Sequence, residues 1–162
     1  MQRASFAEIL RLLAENDVEV IVVGMLAGVL QGAPLTTADV DVVHRRTPEN
    51  VARLLKVLEG IRAVYRGDPR RLRPTESHLL GAGHQLLETD LGDLDCLGTV
   101  DNGRGYEDLL SSTVSLELSP GKSIHLIDLA TLIEVKRRAG RPKDLAAIPV
   151  LESTLEERLR SR

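Results

Sequence analysis

The chain is poor in cysteine and in aromatic residues, and both shortages restrict what it can be. It has one cysteine, Cys96, so an internal disulfide and a cysteine-based zinc site are excluded. Aromatic residues make up 2% of the 162 residues, which leaves the core to be built from aliphatic side chains. Binding of single-stranded nucleic acid on a platform of stacked aromatic rings is excluded for the same reason.

Long apolar runs and a strong excess of one charge are also missing. No run approaches the roughly 20 apolar residues of a membrane-spanning helix, and the N-terminal residues lack the apolar core of a signal peptide. The formal net charge of −3 gives no overall attraction for a polyanion, although a local basic cluster can still bind a phosphate group. We therefore expect one cytoplasmic domain over residues 1–162, with no membrane partner.

Hydrophobic periodicity in the first part of the chain alternates between helix and strand. An amphipathic pattern predicts an opening helix from Ser5 to Asn16, and a β-branched run then predicts a buried strand that ends at Gly24. A short helix should follow this strand directly. Thr47 and Pro48 are typical of a helix start, so the next helix should begin there.

The second part of the chain continues the mixed pattern. The stretch "YRGDPRRLRPTE" predicts an exposed loop, and "HLLGAGHQLLETDLGDLDCLG" predicts two or three short strands. A short helix over "YEDLLSS" and a strand pair, "VSLEL" and "SIHLI", should follow. The end is predicted to be a helical element from about residue 128 to 162, with a helix stop at Gly140 and an interruption near Pro149.

Two aspartates inside an apolar strand are the first sign of a functional site. In "ADVDVV", Asp39 and Asp41 are separated by one residue, so their side chains point to the same face of a strand. Asp93 and Asp95 repeat this spacing in "GDLDCLG". If the two strands are neighbours, Asp95 completes a cluster of three carboxylates, which is a suitable ligand set for Mg²⁺. A lone pair of this kind is a weak motif, and solvated strand-edge aspartates are the alternative interpretation.

The residues around these aspartates add a second element. Gly24 ends a strand and begins a helix, where free backbone N–H groups can donate hydrogen bonds to a phosphate and glycine allows close approach. Thr36 and Thr37 either contact a phosphate or cap the loop. Together, a phosphate site followed by a metal site is the arrangement that in-line nucleotidyl transfer requires.

The combination of "VVGML", "GAPLTTADVDVV" and "GDLDCLG" resembles the signature of the nucleotidyltransferase superfold, the DNA polymerase β-like family. It is similar in particular to nucleotidyltransferase toxins of bacterial type IV toxin–antitoxin systems, whose C-terminal helical element is matched by "LIDLATLIEVKRRAGRPKDLAAI". The resemblance spans about residues 18–148. It implies an α/β (α+β) fold in which a mixed, twisted sheet is backed by helices, with a small helical C-terminal element.

The resemblance also implies roles for individual residues. Asp39, Asp41 and Asp95 would bind Mg²⁺ or Mn²⁺ and carry catalysis. The residues expected to bind the nucleotide are Gly24, Met25, Thr37 and Lys136. A structural role for Lys136, as a cation that complements the helix dipole, is the alternative.

Two functions follow as hypotheses. The first is Mg²⁺-dependent transfer of a nucleoside monophosphate from an NTP to an acceptor hydroxyl on tRNA, a protein or a small molecule, with an antitoxin as a further partner. The second is a catalytically inactive regulatory protein that binds a nucleotide or a partner protein on the same scaffold. Met25 and Leu35 keep the second hypothesis open, because they replace a small residue and an arginine of the resembled pattern.

Overall fold

The computed structural model describes residues 5–161 and contains seven α-helices and seven strands within that range. The helices are α1 (Phe6–Glu15), α2 (Gly24–Leu30), α3 (Pro48–Gly60), α4 (Glu76–Leu80), α5 (Tyr106–Leu109), α6 (Leu129–Ala139) and α7 (Pro142–Arg160), and a 3₁₀ turn spans Leu110–Ser112. The strands are β1 (Val20–Val23), β2 (Asp39–His44), β3 (Val64–Tyr65), β4 (His84–Thr89), β5 (Gly92–Leu97), β6 (Thr113–Ser119) and β7 (Lys122–Ile127).

All seven strands form one mixed sheet in the order β3-β4-β5-β2-β1-β7-β6. β1 pairs antiparallel with β2 and parallel with β7, and β2 pairs parallel with β5. Hairpins at both ends, β4 with β5 and β6 with β7, extend the sheet. The predicted mixed sheet backed by helices is confirmed. Its centre holds β2 and β5, which carry the aspartates, and β1, which ends directly before Gly24.

Strict alternation along β2 and β5 separates the core from an open face. Val40, Val42, Leu94 and Cys96 are fully buried on one side of the sheet. The aspartates between them point to the other side, because successive side chains of a strand alternate between faces. A one-residue slip would place carboxylates in the core, so the apolar residues fix the register that presents the aspartates.

Several predicted helix boundaries are confirmed with their caps. The Thr47 side chain accepts a hydrogen bond from the Asn50 N–H at the start of α3, and Asp128 does the same for the Thr131 N–H at the start of α6. Gly140 ends α6 in the left-handed conformation, with φ +66°. These are the sites where side-chain chemistry rather than packing determines the boundary.

Two boundaries differ from the sequence-based predictions. The "HLL" stretch belongs to helix α4 rather than to a strand, because the Thr75 side chain and His78 form a reciprocal cap at its start. The predicted interruption near Pro149 is wrong, since α7 is assigned as one helix from Pro142 to Arg160 with Pro149 inside it. Proline removes one helical hydrogen bond there, the one that the Leu145 carbonyl would accept, and α7 continues on both sides of it.

A buried asparagine ties the two central strands to α3. The Asn50 side chain accepts a hydrogen bond from the Glu19 N–H at 2.7 Å and donates to the Glu19 and Arg45 carbonyls, both at 2.9 Å. Asn50 is fully buried, and the Glu19 carbonyl accepts a further hydrogen bond from the Arg45 N–H at 3.1 Å. The start of β1 and the end of β2 are thereby fixed relative to each other.

Among residues 5–161, no helix is long and apolar enough to cross a membrane.

Candidate active site

Three carboxylates from two neighbouring strands meet on the open face of the sheet. Asp41 on β2 is directly opposite Asp95 on β5, and Asp39 is opposite Asp93. One carboxylate oxygen from each of Asp39, Asp41 and Asp95 lies within 4.8 Å of the others. The parallel pairing of β2 with β5 therefore produces the cluster that the repeated spacing predicted, referred to below as the aspartate triad.

Gly24 supports the triad from below. It has φ +68°, and a Cβ atom placed on it would lie 2.5 Å from the Asp41 Oδ2 atom. A side chain at this position would be strained and would displace the Asp41 carboxylate. The glycine is thus required for a structural reason, which is close contact with Asp41. It lines a smaller cavity of about 200 Å³ beside Asp41 and Lys136, separate from the larger cleft at the triad.

Burial and mutual repulsion weaken the ionisation of two triad members. Burial, followed by the charge of Asp39 and the hydrogen bond and charge of Asp95, raises the pKa of Asp41 to about 7. Burial, followed by the charge of Asp95, also raises the pKa of Asp39. Three carboxyl groups that share a small volume cannot all ionise without an electrostatic cost. The triad is therefore poised to take up a proton or a cation.

An arginine on one side of the triad offsets part of this charge. The Arg66 Nη2 atom donates to Asp95 Oδ1 at 2.6 Å and to the Leu87 carbonyl at 2.8 Å. Its Nε atom lies 3.2 Å from Asp93 Oδ2. Arg66 thus holds Asp95 in place and marks the side of the triad that faces β4 and β3.

A cleft with a volume of about 610 Å³ opens on the other side of the triad. The loop before β2 contributes Thr36 and Thr37 to its wall, and α7 contributes the exposed side chain of Lys143. The Thr37 hydroxyl donates to the Asp39 carbonyl at 3.0 Å, so Thr37 caps the loop and also lines the cleft. The cleft is large enough for part of a nucleotide.

Lys136 reaches this cleft from α6 and is held by a buried ion pair. Its Nζ atom lies 3.1 Å from Asp144 Oδ1, and Arg141 Nε lies 2.6 Å from Asp144 Oδ2. Asp144 is fully buried, and although burial opposes ionisation, the hydrogen bonds from Arg141 and Lys136 lower its pKa. This carboxylate joins α6 to α7 and fixes two cations beside the triad.

The sequence-predicted site residues fall into three groups. Asp39, Asp41 and Asp95 come together as expected, and Met25, Thr37 and Lys136 line the cleft beside them. Gly24 contacts Asp41 from below instead of lining the cleft. Leu35 does line it, so both residues that depart from the resembled pattern, Met25 and Leu35, lie at the site.

Two contacts were missed by sequence reasoning. Arg66 belongs to a stretch that was predicted to be an exposed loop, and its ion pair with Asp95 depends on the pairing of β3 with β4. Nothing in the sequence identified Asp144 as a partner for Lys136. Asp144 lies eight residues after Lys136, beyond the helix stop at Gly140, so the contact depends on the packing of α6 against α7. Long-range ion pairs of this kind have no local pattern to reveal them.

No protein-family model matches the chain, and no curated protein matches it. Among solved structures, a protein from Thermotoga maritima described as a "putative nucleotidyltransferase" has a TM-score of 0.54 and covers 96% of this chain and 90% of its own. The two sequences are 20% identical, so the likeness shows the fold alone. The chain therefore has a nucleotidyltransferase-like fold. The finer resemblance to toxins of type IV systems stays a prediction.

A divalent metal is implied by this fold, and the residues present fit one. The triad offers only carboxylate oxygens, which are the ligands preferred by Mg²⁺ and Mn²⁺. The pKa values of Asp39 and Asp41 are raised by burial and then by the neighbouring carboxylates, and a bound cation would offset both effects. The donor set thus suits a hard cation without identifying which one.

The raised pKa of Asp41 predicts how stability depends on pH. A carboxyl group whose pKa is higher in the native than in the unfolded state stabilises the protein below the unfolded pKa, and this contribution is lost as pH rises through the native value. Without metal, the free energy of unfolding should therefore fall between about pH 4 and pH 8, with the contribution of Asp41 on the order of 2–4 kcal/mol.

Asp41→Asn should flatten that decline, as measured by urea unfolding at several pH values. Asp17→Asn is the matched control, because it removes an exposed carboxylate outside the triad and should leave the parent's pH profile unchanged. A parent protein whose stability is constant from pH 5 to pH 8 would contradict the electrostatic description of the triad.

Gly24→Ala should destabilise the protein by about 2 kcal/mol or more, because the left-handed conformation and the contact with Asp41 both oppose a methyl group. Gly60→Ala provides the comparison. Gly60 ends α3, and a Cβ there would meet nothing within 4 Å, so this change should be neutral or stabilise by up to about 1 kcal/mol. Equal effects of the two substitutions on denaturant unfolding would show that Gly24 is not constrained by Asp41.

Proposed function

We propose that the protein is a Mg²⁺- or Mn²⁺-dependent nucleotidyltransferase, which moves a nucleoside monophosphate from an NTP to an acceptor hydroxyl. The observation that carries this proposal is the aspartate triad, in which oxygens of three carboxylates lie within 4.8 Å on the open face of a nucleotidyltransferase-like sheet. Residues 1–162 would act as one cytoplasmic domain, with the C-terminal helical element from about residue 128 forming one wall of the site.

Asp39, Asp41 and Asp95 would hold the metal, with Asp39 and Asp41 as its main ligands. When bound, the metal supplies neutralisation of phosphate charge and lowers the pKa of the attacking hydroxyl. The triad's own contribution is position, because its register fixes the carboxylates before the substrate arrives. No large rearrangement of β2 or β5 is required.

The cleft would hold the triphosphate. Lys143 and Arg141 line it, and the Lys136 ammonium is fixed beside it by Asp144. Cations that are held in place stabilise the growing negative charge of the leaving pyrophosphate without having to reorganise. Met25 and Thr37 would contact the nucleotide from α2 and from the loop before β2.

Asp95 would accept the proton of the acceptor hydroxyl. It is 7% exposed, and Arg66 fixes one of its oxygens, so the carboxylate is presented in a single orientation. The acceptor oxygen forms a bond to the α-phosphorus, and the bond from that phosphorus to pyrophosphate breaks. In this proposal the acceptor would lie on the Arg66 side of the triad and the nucleotide on the cleft side.

A toxin–antitoxin role would fit this chemistry, and it rests on the resemblance of the C-terminal helical element described above. The acceptor would then be a cellular tRNA or protein, and a cognate antitoxin would be the partner. Inspection of the neighbouring genes is the direct test. An antitoxin gene beside this one would support the role, and its absence from related genomes would argue for a different acceptor.

Millimolar Mg²⁺ or Mn²⁺ should raise the melting temperature of the parent protein, because a ligand that binds only the native state stabilises it. Asp39→Asn with Asp41→Asn should abolish the shift while leaving the protein folded, since both changes remove repulsion. Asp17→Asn is again the control and should keep the full shift. The parent with metal and NTP should also release pyrophosphate, and a parent that shows neither effect would refute the proposal.

A second candidate, a regulatory nucleotide-binding or protein-binding protein, is favoured by one observation. Met25 and Leu35 put two partly buried apolar side chains on the wall of the cleft. If the Met25 side chain stays in the core, Met25→Ser should change NTP affinity less than about threefold, and the enzyme function stands. An isothermal titration in which the parent binds no NTP and Met25→Ser does would favour the second candidate.

A further inference from the structure

A basic segment lies beside the triad on the side opposite the cleft. Residues 66–73, here named the arginine segment, contain four arginines and one aspartate, whereas the whole chain has a formal net charge of −3. Arg66 is paired with Asp95 and Asp93, and Arg70 is paired with Asp68. Positive charge is thus concentrated in one short exposed stretch of an otherwise weakly acidic protein.

Two other arginines of this segment are available to bind a ligand. Arg71 and Arg73 are exposed, and within residues 5–161 neither forms an ion pair. Their guanidinium groups can each bind a phosphate oxygen pair through two parallel hydrogen bonds. The segment is held against the sheet, because the Tyr65 N–H donates to the Leu72 carbonyl and the Arg66 N–H donates to the Leu86 carbonyl.

Two exposed leucines accompany these arginines. Leu72 is 43% exposed and Leu86 is 46% exposed, and Leu86 lies opposite Asp95 across the pairing of β4 with β5. Cationic groups beside exposed aliphatic side chains match a ligand that alternates phosphates with flat, partly apolar bases.

From this arrangement we infer that the arginine segment docks the phosphodiester backbone of a nucleic-acid acceptor. The inference rests on the proposed function, since it concerns the substrate that receives the nucleotide. Arg66 connects the segment directly to Asp95, the carboxylate assigned to the acceptor hydroxyl. Arg71 and Arg73 follow Arg66 in the same segment, and they are the groups that we assign to the phosphates preceding a terminal hydroxyl bound at Asp95. Because aromatic rings are scarce in the chain, binding would be mainly electrostatic and strongly salt-dependent.

The test is fluorescence anisotropy with a labelled 20-nucleotide single-stranded RNA at a series of KCl concentrations. Arg71→Gln with Arg73→Gln should weaken binding about tenfold at low salt and reduce the salt slope by about 1.4, the value for two lost phosphate contacts. Arg53→Gln with Lys56→Gln is the matched control. It changes the net charge equally on the exposed face of α3 and should alter affinity less than about twofold.

Two further ligands identify the chemistry of the partner. A DNA strand of the same sequence that binds equally well supports recognition of the backbone, and a preference for RNA supports the same surface with an added contact to the ribose hydroxyl. Polyglutamate that competes with RNA at equal charge would overturn the inference in favour of an acidic protein. Equal effects of the two double variants would overturn it as well.

The result is distinguishable from failure of the proposed function. Stabilisation by Mn²⁺ and NTP affinity should be the same in the Arg71→Gln, Arg73→Gln protein and in the parent, because neither side chain lines the cleft. A parent that binds metal and NTP but no RNA would overturn only this inference. A parent that binds RNA through the segment but no metal would overturn both the proposed function and the acceptor role of the segment.

Discussion

Repulsion among three carboxylates is the constraint on which the rest of the site depends. Parallel pairing of β2 with β5 places Asp41 opposite Asp95, with Asp39 one pleat away, and burial strengthens the resulting electrostatic penalty. The register cannot relax to avoid it, because a shift would bury the aspartates and expose Val40 and Val42. The packing of the core therefore maintains an arrangement of charge that the protein alone does not neutralise.

The surrounding cations reduce the repulsion among the three carboxylates but do not abolish it. Arg66 pairs with Asp95 on one side, and Lys136 lowers the pKa of Asp41 from the other, although burial and the neighbouring carboxylates outweigh it. Lys136 also forms an ion pair with Asp144, which neutralises part of its charge and weakens its effect on the triad. Cations thus flank a remaining negative centre, whose carboxylate oxygens suit a hard divalent cation.

Sequence reasoning recovered the features that depend on local pattern. The alternation in "ADVDVV" and "GDLDCLG" predicted two strands with aspartates on one face, and caps at Thr47, Asp128 and Gly140 gave the helix boundaries. It failed where a contact between distant residues decides the structure. The pairing of Arg66 with Asp95 and the burial of Asp144 between α6 and α7 are such contacts, and a proline inside α7 did not break the helix as its local rule predicts.

The most direct test of the account is the number of protons released when Mn²⁺ binds. A carboxyl group with a pKa of about 7 is about half protonated at pH 7, and a metal ligand must be deprotonated. A pH-stat titration of the parent should therefore record release of about half a proton per bound Mn²⁺ at pH 7 and nearly none at pH 8.5. Binding of Mn²⁺ without proton release at pH 7, or with the same release in Asp41→Asn, would contradict the account.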